Sequence, residues 1–268
     1  MSALLTVEAI DGDPLDFVRG HATLLAEFGH LTQDSGNVSW LVDDGDRRLF
    51  VKTAGSPALP IGAREPYLDH AARVALLRNA VELAGSCDHP ALARLLHVIE
   101  SPVGPVLVYE AAPGELVHAR PDERDDPASA YQRFAHLPAD RLFMVFDELI
   151  DLHAALAAAG WVAVDLYDGC LIVDLDTGSL KVVDLDTYRR SPSVNEMGRM
   201  FGSTRFLAPE ELELGAVIDE RTTVFTLGRL VWHFGTRLTE TAGDFCGSPR
   251  VAEVVRRACR PSPADRYD

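Results

Sequence analysis

The sequence predicts an α+β protein in which a small, sheet-rich part precedes a larger, helix-rich part. Short apolar runs separated by turn residues fill most of 1–112, whereas stretches with helical periodicity dominate 113–268. The chain has 268 residues, of which 47% are hydrophobic and 25% charged, and it can bury ample core as one domain or as two lobes. We therefore predict two domains, 1–112 and 113–268.

The first part is predicted to begin with a helix and to continue as a sheet interrupted by one further helix. The acidic turn at 43–46 lies between two apolar runs, a pattern that predicts a hairpin. A run with one apolar face, 67–84, predicts an amphipathic helix. The predicted elements in chain order are a helix over 13–28, strands over 38–42 and 48–51, a helix over 67–84, and strands over 95–100 and 106–109.

The second part follows a charged connector at 119–129 and is predicted to be mainly helical. Its helices are predicted over 139–159, 208–214, 221–235 and 249–260, with short strands over 170–173 and 180–183.

Composition limits the partners of this chain. Its net charge of −16 argues against nucleic acid or an anionic membrane as the main partner, and it suits a cationic one. The four cysteines form no CxxC pair, no apolar run reaches the length of a membrane span, and no basic, apolar leader is present. These features predict a cytoplasmic protein without a membrane span. The preference for arginine over lysine indicates a GC-rich bacterial genome.

Lys52 is the residue from which a functional hypothesis starts. It is one of only two lysines in the chain, and it ends an apolar strand. Far downstream, Asp165 lies in a loop after a long predicted helix, and Asp184 ends a short predicted strand. Phosphoryl transfer needs a lysine for the α- and β-phosphates, a carboxylate for Mg²⁺, and an aspartate that orients or deprotonates the acceptor hydroxyl. The three residues together predict that chemistry.

With these residues, the chain resembles the protein-kinase superfamily over nearly its full length. The most specific motif is Gly202-Ser203-Thr204-Arg205-Phe206-Leu207-Ala208-Pro209-Glu210, which looks like the end of a eukaryotic-type activation segment. Asp165 matches the catalytic-loop aspartate, and Asp184 matches the first residue of the Asp-Phe-Gly triplet. The resemblance implies a bilobal kinase fold with ATP between the lobes and Mg²⁺ as cofactor. It also implies an ion pair between Arg266 and Glu210.

The resemblance further implies a set of nucleotide-binding residues. Tyr109 would be the gatekeeper, and the Glu110 carbonyl and Ala112 amide would bond adenine. Glu115 would reach the ribose. The phosphate loop reads Leu31-Thr32-Gln33-Asp34-Ser35-Gly36, which keeps only the last glycine of the family pattern.

Two departures concern the metal and the regulatory helix. Cys170 stands where a metal-binding asparagine is usual, and a thiol is a poor ligand for Mg²⁺. Asp168 and Asp186 could replace it beside Asp184, although Asp168 could equally form a turn and Asp186 could cap the next one. Ala80 stands where the glutamate that pairs with the lysine is expected, and Glu82 and Asp69 are the nearby carboxylates. Thr223 stands where an aspartate is usual.

Three functions remain open from the sequence. The first is a Ser/Thr protein kinase, favoured by 184–210. The second is a small-molecule kinase of the aminoglycoside-phosphotransferase type, because Leu49-Phe50-Val51-Lys52-Thr53 resembles the corresponding strand of those enzymes, and the acidic charge would attract a cationic acceptor. The third is a pseudokinase that binds a nucleotide or a partner without catalysis, favoured by the lost glycines and by Cys170.

Overall fold

A computed structural model of the protein describes residues 2–29, 35–58 and 65–268. The chain forms two compact units, one comprising Met1–Gly85 and Ala93–Ala112, the other Ser86–Leu92 and Pro113–Asp268. The first contains a five-stranded antiparallel sheet, and the second contains most of the helical residues. The predicted α+β class is confirmed, and this composition is compatible with a kinase-like fold.

The first unit is an antiparallel sheet with strand order β1-β2-β3-β5-β4. The predicted hairpin is confirmed, since β2 pairs with β3 around the acidic turn. The elements of the unit are α1 (Pro14–His21), β1 (Thr23–Phe28), β2 (Val38–Asp43), β3 (Arg48–Thr53), α2 (His70–Ser86), β4 (Leu95–Ile99) and β5 (Val106–Glu110).

The helix predicted over 13–28 is wrong in its second half. The helix α1 ends at His21, and the following residues form β1, an edge strand paired with β2. Residues of β1 alternate between exposed and half-buried positions, which is the period of a strand on a solvated sheet. Pairing with β2 places the Glu27 carboxylate 3.3 Å from the indole Nε1 of Trp40. The apolar residues of 13–28 therefore belong to two elements with different periods.

The two faces of this sheet pack against different partners. Leu49 and Val51 of β3 point into a core cluster that includes Val18 of α1. The alternate residues of β3 lie on the opposite face, where Leu107 packs with Leu77 of α2. Because side chains alternate along a strand, Lys52 lies on the face that α2 covers.

The second unit is built around the helices α4 and α5 and carries four short strand pairings. The predicted helices at 139–159, 221–235 and 249–260 are confirmed, whereas 208–214 contains only a 3-10 turn, Pro209–Leu212. The elements are β6 (Glu115–Leu116), α3 (Ala130–Ala135), α4 (Ala139–Ala158), β7 (Trp161–Val162), β8 (Leu171–Val173), β9 (Leu180–Val182), β10 (Arg189–Arg190), β11 (Ser193–Val194), β12 (Val217–Ile218), α5 (Glu220–Gly235) and α6 (Pro249–Ala258).

The predicted ion pair between Arg266 and Glu210 is confirmed, and it lies in the interior of this unit. The guanidinium donates to the two carboxylate oxygens at 2.6 and 2.9 Å. The Arg266 side chain is fully buried, and Glu210 also accepts a hydrogen bond from the Thr222 hydroxyl at 2.8 Å. The pair therefore joins 202–210 to the end of the chain through α5.

Across the described residues, none of the helices combines the length and the apolar character that crossing a bilayer requires.

Candidate functional site

Lys52 occupies a central strand of the first unit. Within β3 it lies opposite Ser39 of β2 on one side and Leu107 of β5 on the other. Its side chain is half-buried on the α2 face of the sheet, which it shares with Phe50. Pairing on both sides fixes the backbone of Lys52, so the face of the sheet on which its side chain lies is set by the strand rather than by a loop.

The helix α2 presents no carboxylate at the position expected for the partner of Lys52. Ala80 is buried there in the cluster with Leu77 and Leu107. Of the two carboxylates considered from the sequence, Glu82 is exposed, and Asp69 accepts a hydrogen bond from the Ala72 amide at 2.8 Å. Asp69 therefore caps the start of α2.

Arg73 of α2 makes buried hydrogen bonds that were not predicted from the sequence. It is buried, and it donates hydrogen bonds to the carbonyls of Ala54, Leu68 and Ser56 at 2.9, 2.9 and 3.1 Å. Burial lowers the pKa of this guanidinium, and the nearby Asp69 charge opposes that effect. Arg73 holds the loop that follows the Lys52 strand against α2.

Ser35 and Gly36 are the described part of the predicted phosphate loop, and Leu31–Asp34 lie outside the described residues. The Ser35 hydroxyl accepts a hydrogen bond from the backbone N–H of Asn37 at 3.3 Å. Gly36 has a φ of +81°, and a Cβ there would lie 2.5 Å from Pro66 and 2.9 Å from the Arg73 guanidinium. A side chain at this position is therefore excluded both by the backbone conformation and by its neighbours.

The residues predicted to contact adenine and ribose fall at the end of β5 and in β6. Glu110 ends β5, where its amide donates to the Arg94 carbonyl at 3.0 Å, and Ala112 follows two residues later. Tyr109 packs partly buried against the α2 cluster. Glu115 lies in β6 of the second unit and forms an exposed ion pair with Arg133 of α3. A ribose contact by Glu115 would have to compete with this pair.

In the second unit, Asp165 and Asp184 are brought together by strand pairing. Asp165 follows β7, and Asp184 follows β9, which pairs with β8. At the open end of the β8–β9 hairpin, the Val183 amide donates to the Cys170 carbonyl at 2.9 Å. The Cys170 thiol in turn donates to the Asp165 carbonyl at 3.4 Å. These two bonds link the loop of Asp165 to the strand end that carries Asp184.

Both aspartates have left-handed backbone conformations. The φ angle is +62° at Asp165 and +64° at Asp184. For a residue with a Cβ, this conformation costs about 1 kcal/mol or more, although aspartate tolerates it better than most. Such strain persists only where the surrounding structure imposes it, and it is concentrated at functional sites. Arg237, Leu238 and Glu240 share this conformation among the described residues, so it accords with the roles predicted for Asp165 and Asp184 without being specific to them.

The carboxylates near this hairpin act electrostatically on two buried groups. Burial raises the pKa of the Cys170 thiol well above its usual value, and the charges of Asp184 and Asp165 raise it further. Burial also raises the pKa of Tyr167, and the nearby charges of Cys170, Asp184, Asp165 and Asp168 raise it further. Both effects favour the neutral thiol of Cys170, and a thiol is a poor ligand for Mg²⁺.

Asp168 is fully buried, and both of its oxygens are hydrogen-bonded. Arg205 donates to them at 2.9 and 2.8 Å, and His118 Nδ1 lies 3.5 Å from Oδ1. Burial alone would raise the pKa of Asp168, but His118 and Arg205 hold it below its ordinary value. This arrangement favours the structural role that the sequence left open for Asp168 over a role as a metal ligand.

Asp184 and Asp186 differ in their accessibility to a ligand. Asp184 is exposed, whereas Asp186 is buried. No cluster of three or more metal-binding side chains occurs among the described residues. Mg²⁺ at phosphoryl-transfer sites is commonly held by one or two carboxylates together with substrate phosphates and water. An exposed Asp184 fits that mode of binding.

Thr223, which stands where an aspartate is usual in kinases, holds the loop before Asp165. Thr223 is buried on α5, and its hydroxyl accepts a hydrogen bond from the Ala163 amide at 2.9 Å. On the other side, the Thr187 hydroxyl donates to the Val164 carbonyl at 2.9 Å. The loop is thus fixed by neutral hydroxyl groups from α5 and from the chain after Asp184.

Gly202 carries the predicted activation segment close to Asp165. A Cβ built on this glycine would lie 3.5 Å from both Cα and Oδ1 of Asp165, and the φ of Gly202 is +126°. Three residues later, Arg205 pairs with Asp168, so 202–205 is tied to the Asp165 loop at two points. The Arg205–Asp168 pair was not predicted from the sequence, in which 37 positions separate the two residues.

Comparisons with known proteins identify kinases as distant relatives. The chain is 27% identical to sperm motility kinase Z of Mus musculus over 167 residues, which cover 62% of this chain and 31% of that protein. It is 24% identical to serine/threonine-protein kinase 1 of African swine fever virus over 143 residues, covering 53% and 44% respectively. The matches span less than half the length of these relatives. No protein-family model matches the chain. The similarities support a kinase-like superfamily for this protein.

Proposed function

We propose that this chain is an ATP-dependent phosphotransferase that phosphorylates serine or threonine hydroxyls of a protein. The observation that carries the proposal is the pair of strained aspartates, Asp165 and Asp184, joined through Cys170 at one end of the β8–β9 hairpin. Both residues were predicted from the sequence, by the chemistry of phosphoryl transfer and by the resemblance to protein kinases. The distant kinase relatives support the same superfamily.

Each residue has a distinct task in the proposed reaction. Asp165 orients the acceptor hydroxyl and receives its proton, while the hydroxyl oxygen forms a bond to the γ-phosphorus and the bond to the β,γ-bridging oxygen breaks to release ADP. Lys52 of the first unit binds the α- and β-phosphates. Asp184 of the second unit, with Asp186 as the further candidate, would hold Mg²⁺, which neutralises phosphate charge when bound.

The remaining nucleotide contacts are part of the same proposal. Gly36 and Ser35 are proposed to lie against the phosphates, the role that the resemblance implies for the end of this loop. The Glu110 carbonyl and the Ala112 amide are proposed to bond adenine. We assign Glu115 a weaker role at the ribose, because it already pairs with Arg133.

A catalytically silent pseudokinase is the second candidate, and specific observations favour it. Ala80 replaces the carboxylate of α2 that would orient Lys52, and Cys170 is a buried neutral thiol where a metal ligand is expected. Neither feature prevents nucleotide binding. A small-molecule kinase of the aminoglycoside-phosphotransferase type stays a prediction. It would differ from a protein kinase in the molecule that accepts the phosphate.

Intact-mass measurement after incubation with Mg-ATP, together with transfer of labelled phosphate to a serine- and threonine-containing peptide library, tests the proposal. The wild type should transfer phosphate, and Asp165→Asn should lower the rate by about 100-fold or more, because it removes the proton acceptor. Asp147→Asn, at an exposed position on α4, is the matched control and should retain the wild-type rate.

The possible outcomes separate the candidate functions. Thermal stabilisation by Mg-ATP without transfer to any acceptor would identify a pseudokinase. Transfer to an aminoglycoside but not to peptides would identify the small-molecule kinase. The absence of both nucleotide binding and transfer would refute the whole proposal.

A further inference from the structure

The stretch from Thr187 to Pro209 has a charge opposite to that of the chain. It contains four arginines and one glutamate, although the protein as a whole carries a net charge of −16. This stretch follows Asp184, and its Gly202 lies against Asp165. Because Asp184, Asp186 and Glu210 border the stretch, its positive charge is local to the arginines themselves, unlike the negative charge of the whole chain that first indicated a cationic acceptor.

Two of the four arginines have other partners. Arg205 is neutralised by the buried carboxylate of Asp168. Arg190 stacks over the indole of Trp161, with 4.0 Å between its guanidinium carbon and the ring centroid. The other two arginines, Arg189 and Arg199, are therefore the candidates for binding an anionic group.

Arg199 is exposed and bonded only to backbone carbonyls in the contacts of the described residues. It donates to the Met200 and Gly202 carbonyls at 3.3 and 3.1 Å. Because Gly202 lies against Asp165, the Arg199 guanidinium is hydrogen-bonded to the backbone that borders the proposed catalytic carboxylate. Within the described chain, no carboxylate lies within 4.0 Å of the Arg199 guanidinium.

Arg189 is anchored in a similar way from the other side of the Asp165 loop. It lies in β10, opposite Val162 of β7, the strand that leads to Asp165. Its guanidinium contacts the Val194 carbonyl at 3.3 Å and the Met197 sulfur at 3.9 Å, and no ion pair of Arg189 is found among the described residues. The two arginines thus hold their charges on elements that flank Asp165.

Exposed apolar side chains surround these arginines. Val194 of β11 pairs with Val217 of β12, and their side chains are 48% and 54% exposed. Met197 and Leu214 are 42% and 70% exposed. A group of exposed apolar side chains next to cations fits a peptide with mixed acidic and apolar residues better than it fits a small polar molecule.

We propose that the phosphate acceptor is an acidic peptide segment whose carboxylates, flanking the acceptor serine or threonine, bind Arg189 and Arg199. This inference deepens the proposed function and rests on it. It makes a specific statement about substrate class: acidic flanks favour binding, neutral flanks weaken it and basic flanks weaken it most. The exposed apolar group defined by Val194, Met197, Leu214 and Val217 would contact the apolar residues of the same segment.

A binding measurement tests the proposal without requiring catalysis. The probes are three short, fluorescein-labelled peptides with a central alanine in place of the acceptor serine, flanked by glutamates, by glutamines or by lysines. Fluorescence anisotropy gives the affinity of each for the wild type, for Arg189→Gln/Arg199→Gln and for Arg189→Lys/Arg199→Lys. Arg250→Gln, at an exposed position at the start of α6, is the control for general loss of positive charge.

The expected result is a ratio of affinities. Each exposed ion pair contributes up to about fivefold, so the glutamate peptide should bind the wild type roughly tenfold more tightly than the glutamine peptide. The ratio should fall below about threefold in the double glutamine variant, and it should be retained in the double lysine variant and in Arg250→Gln. It should also fall toward one at about 0.5 M salt, where exposed charges are screened.

Equal affinity of the wild type for the glutamate and glutamine peptides would overturn the proposal, as would an unchanged ratio in the double glutamine variant or tighter binding of the lysine peptide. Mg-ATP binding and phosphate transfer are measured separately on the same preparations. A protein that binds Mg-ATP but does not discriminate between the peptides refutes only the acidic acceptor. A protein that discriminates between them but neither binds Mg-ATP nor transfers phosphate refutes the proposed function.

Discussion

Replacing Arg266 with methionine should be among the most damaging single substitutions in the second unit. The guanidinium is fully buried and donates five hydrogen bonds. Two go to the Glu210 carboxylate and one each to the carbonyls of Arg221, Pro261 and Arg260. Its removal leaves the Glu210 carboxylate buried, with the Thr222 hydroxyl as its remaining described donor. Removing one member of a buried ion pair costs about 3–5 kcal/mol, a large share of the stability of an ordinary domain.

Urea unfolding at neutral pH, followed by circular dichroism, measures this loss. The matched control is Arg250→Met, an exposed arginine on α6, which should change stability by less than about 0.5 kcal/mol. The double variant Glu210→Gln/Arg266→Met should be more stable than Arg266→Met alone, because no unpaired buried charge remains. If Arg266→Met unfolds at the same urea concentration as the wild type, the ion pair does not stabilise the chain and this reasoning is refuted.

Three further predictions concern buried polar groups. Thr223→Val removes the acceptor of a buried backbone amide and should cost about 1–3 kcal/mol in urea unfolding, with Thr23→Val in β1 as an exposed control; an unchanged midpoint would contradict the assigned role. Asp168, whose pKa is lowered by His118 and Arg205 against the effect of burial, should stabilise the fold above its ordinary pKa of 3.8. That stabilisation should be lost as the pH falls below 3.8, and Asp168→Asn should lack this acid dependence and lose about 3 kcal/mol at neutral pH. Burial raises the pKa of Glu211 from 4.5 to about 8, so its contribution to stability is fully present below pH 4.5 and is lost as the pH rises toward 8. Relative to Glu211→Gln, the wild type should lose on the order of a few kcal/mol over that range, and parallel pH profiles would contradict the assignment.

Part of the arrangement of the second unit could be predicted from the sequence because its motifs are local. Asp165, Asp184 and the nonapeptide ending at Glu210 each stand out within a few residues, and the structure joins the first two through Cys170. The Arg266–Glu210 pair spans 56 positions, yet it was predicted from the resemblance and is confirmed. Long-range contacts that a known pattern encodes are therefore predictable from sequence.

Contacts that no pattern encodes were not predicted. The Arg205–Asp168 pair joins residues 37 positions apart, and nothing in either local sequence names the other as its partner. Asp168 was consequently considered as a metal ligand. Likewise, Arg73 bonds to three carbonyls from two loops, which only the folded arrangement of α2 and β3 brings together.

The secondary-structure prediction was wrong where one apolar stretch contains both a helix and a strand. Residues 13–28 contain enough leucine and valine for a helix, but the pairing of β1 with β2 converts the second half to a strand. The helix α3 was missed because it has only six residues, too few for a helical period to be evident. Its start is nevertheless marked by Ser129, whose hydroxyl accepts a hydrogen bond from the Gln132 amide, and this cap was the available signal.

The proposed function requires that Lys52 and Asp184 each contribute to the binding of Mg-ATP, and calorimetric titration with ATP tests this requirement most directly. Titrations with and without Mg²⁺ would use the wild type, Lys52→Met, Asp184→Ala, the double variant and the exposed control Asp147→Ala. Each active-site substitution should weaken Mg-ATP binding by about tenfold or more, and the double variant should lose less than the sum of the two. Asp184→Ala should also lose the dependence on Mg²⁺. Unchanged affinity of either Lys52→Met or Asp184→Ala for Mg-ATP would contradict the proposed function.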